Sequence, residues 1–88
     1  MLRITALADD DARATLKVEG DLVSDASAVL ERECLRQLET KKAVLLDVSG
    51  VTLVDCRGAE TLKRLQVRSV SLINCSPLID EMIRDCEG

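Results

Sequence analysis

Two carboxylates and one thiol occupy a short central segment, residues 44–58, and these side chains have the types and spacing that could do chemistry. Asp47 ends a first apolar run, and Asp55 ends a second. Cys56 follows directly and opens a run with helical spacing. A carboxylate just before a helix is a natural N-cap, worth about 1 kcal/mol. Asp55 is therefore predicted either to cap a helix only, or to cap it and also contribute to an interface.

The residues between the two carboxylates predict a tight turn. Ser49 and Gly50 form this turn, and Asp47 is placed to accept hydrogen bonds from its backbone N–H groups. Gly50 and Gly58 are predicted to permit tight backbone geometry or close packing. Ser49 and Thr61 add hydroxyl groups near the second carboxylate, although each also suits an ordinary turn or helix position.

Cys56 is the residue with the most chemical alternatives. Oxidation or another modification of its thiol would add polarity at the helix start, and Cys56 would then be a redox or modification switch. Alternatively, Cys56 does not react and is only a small residue at the helix start. Arg57 either pairs with a carboxylate of a partner or is solvated. An enzyme is not predicted, because the chain has no histidine to act as a base and no glycine-rich phosphate-binding motif.

The four cysteines lack the spacing of a metal site. Cys34, Cys56, Cys75 and Cys86 occur singly, and there is neither a Cys-x-x-Cys pair nor a histidine. Structural zinc sites usually have closely spaced ligand pairs, so neither a metal nor a cofactor is predicted. Cys34 and Cys86 lie on the apolar faces of helix patterns, where cysteine is expected to be a small core residue.

Length, charge and composition exclude several classes of function. The 88 residues fit one domain, 1–88. A net charge of −4 and a chain without Phe, Tyr or Trp argue against nucleic-acid binding, which normally uses basic surfaces and often aromatic stacking. No apolar run approaches the ~18 residues of a membrane span. There is no signal-peptide pattern at the start, so a cytosolic protein without direct membrane insertion is expected.

The elements that must position the central segment begin with a hairpin. Period-two alternation predicts strands at 2–6 and 15–19, joined by a loop of about five residues. Apolar residues at three- and four-residue spacing then predict an amphipathic helix over 25–40, with Ser24 or Asp25 as its N-cap. The apolar face of this helix comprises Ala26, Val29, Leu30, Cys34, Leu35 and Leu38.

The second half of the chain alternates strands and helices. Strands are predicted at 44–48 and 70–73, a helix at 56–66, and a last helix beginning at Ser76-Pro77. The order β-β-α-β-α-β-α predicts an α/β fold with a mixed, mostly parallel four-stranded sheet and helices mainly on one face. The place of the first strand in the sheet stays open. The predicted inward residues of the two helices are Ala59, Leu62, Leu65, Leu78, Ile79, Met82, Ile83 and Cys86.

Residues 47–51 and 55–58 resemble the STAS domain, the fold of bacterial anti-sigma-factor antagonists. That family has Asp-Leu-Ser-Gly-Val after an apolar strand, and then Asp-Ser-Ser-Gly at a helix start. Here the matching sequences are Asp-Val-Ser-Gly-Val and Asp-Cys-Arg-Gly. Residues 16–22 look like the family's second strand, and residues 72–77 like its last strand and helix start. The resemblance thus covers nearly the whole chain.

The resemblance implies a protein-binding function without the family's usual switch. Antagonists of this family bind a partner through the turn and helix that begin at Asp55 here. In phosphoregulated members a kinase phosphorylates the Ser or Thr after that Asp, and the added charge disrupts the interface. Cys56 stands at that position, so a Ser/Thr phospho-switch is not expected. The implied partner-binding residues are Ser49, Asp55, Cys56, Arg57, Gly58 and Thr61.

Three partner classes follow from the same resemblance. For an antagonist-like member the partner is an anti-sigma factor with a kinase-like ATP-binding fold, which makes the chain a non-enzymatic regulator of transcription in bacterial signalling. Alternatively, the chain resembles the STAS subunit of an ABC lipid-transport system, which binds the transporter ATPase. A third reading is a small-ligand sensor, in which helix N-termini bind a nucleotide, a lipid or another anion.

Overall fold

The computed structural model of the chain describes residues 2–10, 12–40 and 43–85. The predicted order β-β-α-β-α-β-α is confirmed. Its elements are β1 (Leu2–Asp9), β2 (Arg13–Leu22), α1 (Asp25–Leu38), β3 (Ala43–Val54), α2 (Cys56–Val67), β4 (Val70–Ile73) and α3 (Pro77–Asp85). Cys86, predicted to lie on the buried face of α3, is outside the described residues.

The four strands form one mixed sheet in the order β1-β2-β3-β4. The first strand, left unplaced by the sequence, lies at the edge and pairs antiparallel with β2, whereas β2, β3 and β4 are parallel to one another. β1 continues to Asp9 and β2 begins at Arg13, so the hairpin is longer than predicted. Asp10 closes it by accepting hydrogen bonds from the N–H groups of Ala12 and Arg13 at 2.8 and 2.7 Å.

The core lies on one face of the sheet, beneath the helices. Alternate residues of β2 and β3 point to this face because side chains alternate along a strand. Leu16 and Val18 of β2, with Val44 and Leu46 of β3, are almost completely buried. Helices add further residues to the same cluster, which consists entirely of aliphatic side chains and Cys34. Its helical members are Leu30, Cys34, Leu62, Leu65, Ile79 and Ile83.

Two residues predicted to face the core are exposed instead. Val29 of α1 has 55% of its surface exposed, and Leu78 of α3 has 60%. Helical spacing identifies an apolar stripe about 100° wide on each helix, but the sheet covers only part of that stripe. Val29 lies at the side of α1 towards β1, and Leu78 is in the first turn of α3. The other predicted inward helix residues that lie within the described residues are buried or half-buried.

β3 is one continuous strand, so the predicted tight turn at Ser49 and Gly50 is wrong. Val48 and Ser49 together lie opposite a single residue of β2, because Lys17 pairs with Asp47 and Glu19 pairs with Gly50. This is a β-bulge, in which an extra residue is accommodated without ending the strand. A turn and a bulge use the same residue types, and only pairing with a neighbouring strand distinguishes them.

A second irregularity follows within four residues. Gly20 pairs with Val51 and Asp21 with Leu53, which leaves Thr52 as another extra residue of β3. Core-facing positions therefore change their spacing from two residues to three after Val48. The inward side chains of β3 are Val44, Leu46, Val48, Val51 and Val54. Thr52 and Leu53 are consequently both exposed.

The helix boundaries agree with the prediction within two residues. α1 ends at Leu38 rather than 40, and α2 ends at Val67 rather than 66. Ser76 caps α3 as predicted, since its Oγ accepts the N–H of Ile79 at 3.2 Å. Within the described residues no helix has the length and apolar character that a membrane crossing requires.

Candidate functional site

The candidate site lies where the parallel strands end. Because β2, β3 and β4 are parallel and a helix follows each of them, α1, α2 and α3 all begin at the same edge of the sheet. In α/β sheets, functional sites are built at this edge from the strand–helix connections. The connection between β3 and α2 is a single residue, Asp55.

Asp55 joins the starts of two helices. Its Oδ1 accepts the backbone N–H of Gly58 at 2.8 Å, which caps α2 as predicted. Its Oδ2 accepts the backbone N–H of Ser24 at 3.0 Å, and Ser24 is the N-cap residue of α1. The N–H of Asp55 itself donates to the carbonyl oxygen of Leu22 at 3.4 Å. One carboxylate thus fixes the first turns of α1 and α2 relative to each other.

These hydrogen bonds also determine the ionisation of the site. The bond from Gly58 lowers the pKa of Asp55 below its ordinary value, with burial opposing and the N–H of Ser24 adding to the decrease. Donors that bond to the charged form favour it. Asp55 is therefore a carboxylate at neutral pH, which is the state that can accept both bonds.

Gly58 is predicted to permit close packing, and the structure shows the contact. A Cβ placed on Gly58 would lie 2.2 Å from the carbonyl oxygen of Leu22 and 2.7 Å from Cγ2 of Val54. Only a residue without a side chain lets the first turn of α2 lie against the end of β2. Gly58 is buried, so it positions the helix and offers no side chain to a partner.

The backbone of Ser24 adopts a conformation that serine rarely uses, with φ 48° and ψ −122°. Positive φ brings a Cβ close to the backbone and has an energetic cost for residues other than glycine. The side chain of Ser24 makes no capping hydrogen bond, contrary to its predicted role. Its backbone is held instead by Asp55 and by Ser27, whose Oγ donates to the Ser24 carbonyl oxygen at 2.5 Å.

Cys56 and Arg57 are the exposed residues of the first turn of α2. Neither makes a side-chain hydrogen bond or ion pair with any residue in 2–10, 12–40 or 43–85. A third exposed residue, Leu53, was not predicted from the sequence; it lies two residues before Asp55 and has 55% of its surface exposed. Its apolar character fits a strand, and only the second irregularity in β3 reveals that it faces outwards.

A polar groove of about 310 Å³ runs from this surface between α1 and α2. Arg57 lies at one end of it. Towards the other end, Arg64 of α2 forms an ion pair with Glu31 of α1, with N···O distances of 3.1 and 3.2 Å. Thr61, predicted as a partner contact, is only 2% exposed, and its Oγ accepts from Arg64 at 3.2 Å. It supports the packing of α1 and α2 rather than an outer surface.

Ser49 lies away from the other predicted residues. Five residues of strand separate it from Asp55, which at the usual rise is roughly 15–20 Å. Its backbone N–H donates to Oδ1 of Asp47 at 3.0 Å, as predicted for Asp47. This bond and the Ser49 hydroxyl, with smaller effects of Asn74 and Lys17, lower the pKa of Asp47. Asp47 and Ser49 therefore stabilise the first bulge of β3.

The buried cysteine does not belong to the site. Cys34 of α1 is fully buried, as predicted for a small core residue. Burial raises the pKa of its thiol to about 12, with additional effects of Glu33 and Glu31. A neutral thiol in this environment is a packing residue. Cys75 is half-buried beside the same core.

Comparison with known proteins gives the same architecture. A family model described as STAS domain matches residues 3–86. No curated protein sequence matches the chain. Among solved structures, 17 chains match. One of them is the anti-sigma factor antagonist SpoIIAA in its unphosphorylated form, with a TM-score of 0.70 and 13% identity over 93% of this chain and 82% of that chain. At this identity the likeness concerns the fold, and it confirms the predicted one.

Proposed function

Because the chain belongs to the STAS domain family, we propose that it is a protein-interaction regulator that binds a regulatory protein. The partner contacts the docking surface, which we define as Leu53, Cys56 and Arg57 around the Asp55 turn. Asp55 and Gly58 hold this surface in shape. The proposed role is non-enzymatic, since it requires no bond to be made or broken.

The observation that carries this proposal is the set of hydrogen bonds that hold the backbone beneath the docking surface. An exposed leucine, a thiol and an arginine lie around a turn that is fixed by three hydrogen bonds, to the end of β2, to the start of α1 and to the first turn of α2. Apolar and arginine side chains are the usual anchors of protein interfaces. A surface that is already ordered loses little conformational entropy on binding.

Regulation of this surface does not use Ser/Thr phosphorylation at the helix start. Cys56 stands where phosphoregulated members of the family carry a hydroxyl, and its side chain is exposed. Binding is therefore constitutive with respect to a Ser/Thr kinase acting at this position. A modified thiol would place new bulk and polarity in the centre of the docking surface.

The leading partner is an anti-sigma factor with a kinase-like ATP-binding fold. SpoIIAA, which shares the fold, is an anti-sigma factor antagonist. Arg57 favours a partner surface that offers a carboxylate, because it has no ion-pair partner within the described part of the chain. A transporter ATPase is the second candidate, and the identity of the bound protein distinguishes the two.

The test is affinity capture from the native cytosol with variants of equal stability. Leu53→Asp and Arg57→Glu change the docking surface, and Val67→Asp is the matched control. Val67 has 84% of its surface exposed and lies at the opposite end of the same helix. The proposal expects one protein that is captured by the wild type and by Val67→Asp but is lost with the other two variants. Capture of the same proteins by all four chains would place the interaction elsewhere.

A further inference from the structure

A second surface, on the opposite side of α1 from the polar groove, has a different character. A trough of about 480 Å³ lies between β1 and α1. Its apolar lining comes from Ile4 and Ala6 of β1, Leu16 of β2 and Val29 of α1. Arg32 and Arg36, one helical turn apart, form its outer rim on α1. We call this surface the β1 trough.

The β1 trough exists because the helices pack over β2, β3 and β4 and do not extend over β1. α1 packs on β2 and β3, while α2 packs on β3 and β4. No helix in the described part of the chain covers the core-facing side of β1. Paired residues of β1 and β2 show the difference in coverage. Val18 of β2 is completely buried, whereas its partner Ile4 of β1 is only half-buried. Ala6 is exposed although its partner Leu16 is buried.

Val29 fits the same explanation. It belongs to the apolar face of α1 by its spacing, yet 55% of its surface is exposed because it faces the β1 trough. The chain thus has apolar residues on both walls of an open trough. A sheet with an apolar face normally buries it against another layer.

The rim of the β1 trough is cationic. Glu33 is already bound, because it accepts hydrogen bonds from Nε and Nη2 of Arg36 at 3.1 and 2.6 Å and from Gln37 at 3.3 Å. The bond from Arg36 lowers the pKa of Glu33, which keeps it ionised. Arg32 is exposed and has no ion pair within residues 2–10, 12–40 and 43–85. One positive charge on the rim is therefore left uncompensated.

We infer that the β1 trough binds an amphipathic helix of a partner protein, with apolar residues on one face and carboxylates along one flank. Such a helix lies beside α1 and over β1, and it continues the layer that α1 and α2 begin. Its apolar side chains contact Ile4, Ala6 and Val29. Its carboxylates lie one turn apart along the flank that faces the rim, where one of them pairs with Arg32, and its apolar anchors have the three- and four-residue spacing of helix-in-groove recognition. This interaction is independent of the docking surface.

An NMR titration of the full isotope-labelled chain tests this inference. The probe is a synthetic helical peptide of about 16 residues, with Leu and Ala on one face and Glu at positions four apart along its flank. A second peptide carries Lys in place of those Glu residues. The inference expects saturable shifts confined to residues 3–7 and 29–37 with the acidic peptide. Arg32→Glu should weaken that binding about tenfold and should favour the Lys peptide.

Folding does not confound the experiment, because Arg32 and Val29 are exposed. Val29→Ser removes an apolar contact without a charge change, and it should also weaken binding of the acidic peptide. Absence of shifts up to about 1 mM peptide would overturn the inference. So would equal binding of both peptides, shifts centred on Cys56 and Arg57, or concentration-dependent shifts without peptide, which would mean that a second copy of the chain occupies the trough.

Discussion

Replacing Gly58 by alanine tests whether α2 is wedged against the end of β2. The new Cβ would lie 2.2 Å from the Leu22 carbonyl oxygen. Carbon–oxygen contacts of this kind are normally about 3.3–3.6 Å, so the helix must move by about 1 Å. The same carbonyl oxygen accepts the N–H of Asp55, and the movement therefore also stretches the junction between the two helix starts.

Two effects of opposite sign determine how much Gly58→Ala changes the free energy of unfolding. Alanine is better than glycine inside a helix by about 1 kcal/mol. Overpacking costs about 1–3 kcal/mol, and the upper end applies to Gly58 because the obstacle is backbone and not a flexible side chain. We expect a net loss of about 2 kcal/mol in the free energy of unfolding, which lowers Tm by on the order of 10 °C in a domain of this size.

Urea unfolding followed by far-ultraviolet circular dichroism measures this loss. A chain without Phe, Tyr or Trp offers no intrinsic fluorescence signal. Gly50→Ala is the matched control, since its Cβ would lie 2.7 Å from Cγ of Glu19, a side chain that can rotate away, and no nearer than 3.2 Å to the backbone, at the carbonyl oxygen of Val18. The control should lose less than about 1 kcal/mol. A Gly58→Ala variant as stable as the wild type, or more stable, would refute the argument that α2 packs too closely against the end of β2 to accept a side chain at Gly58.

Three further predictions concern the same structure. Asp55→Asn keeps one acceptor but loses the bond from Ser24, so at pH 7 it should cost about 1 kcal/mol. Folding lowers the pKa of Asp55, so the stability that its charged form contributes is present above the unfolded pKa of about 3.9. This stability is lost as the pH falls through the folded pKa. The difference in urea midpoint between the wild type and Asp55→Asn should therefore disappear in acid. Iodoacetamide labelling followed by peptide mapping should modify Cys56 in the native protein and Cys34 only at the rate of unfolding, and rapid native labelling of Cys34 would contradict its burial. Leu62→Ala should cost about 2–5 kcal/mol in urea unfolding, because the side chain is completely buried and leaves a cavity.

The element order and most of the core were predictable from the sequence because they depend on local periodicity. Alternation along β2 and helical spacing in α2 each identify a buried face without knowledge of any other element. The cap at Asp55 was predictable for the same reason, since Gly58, whose N–H it accepts, lies only three positions away. Its second bond, to Ser24, joins residues 31 positions apart and has no local signal.

The errors arose where a local pattern has two structural solutions. Ser49-Gly50 suits a turn and a bulge equally, and the pairing with β2 selects the bulge. Val29 has the spacing of a core residue, but whether a core residue is buried depends on how far the neighbouring layer extends. Thr61 was placed on the partner surface by its proximity to the Asp55 turn, and the packing of α1 against α2 buries it. Each case needed tertiary information.

The two irregularities of β3 have a consequence for how this chain can change by insertion and deletion. Between Val48 and Val54 the strand carries two residues more than simple alternation against β2 requires. Deleting Thr52 would leave Val51 and Val54 facing inwards and would remove one residue from the exterior. Loss of one residue here thus alters what the chain displays beside Asp55 while the interior keeps its register. The two extra residues are therefore the positions of β3 at which a deletion changes the surface and leaves the core in place.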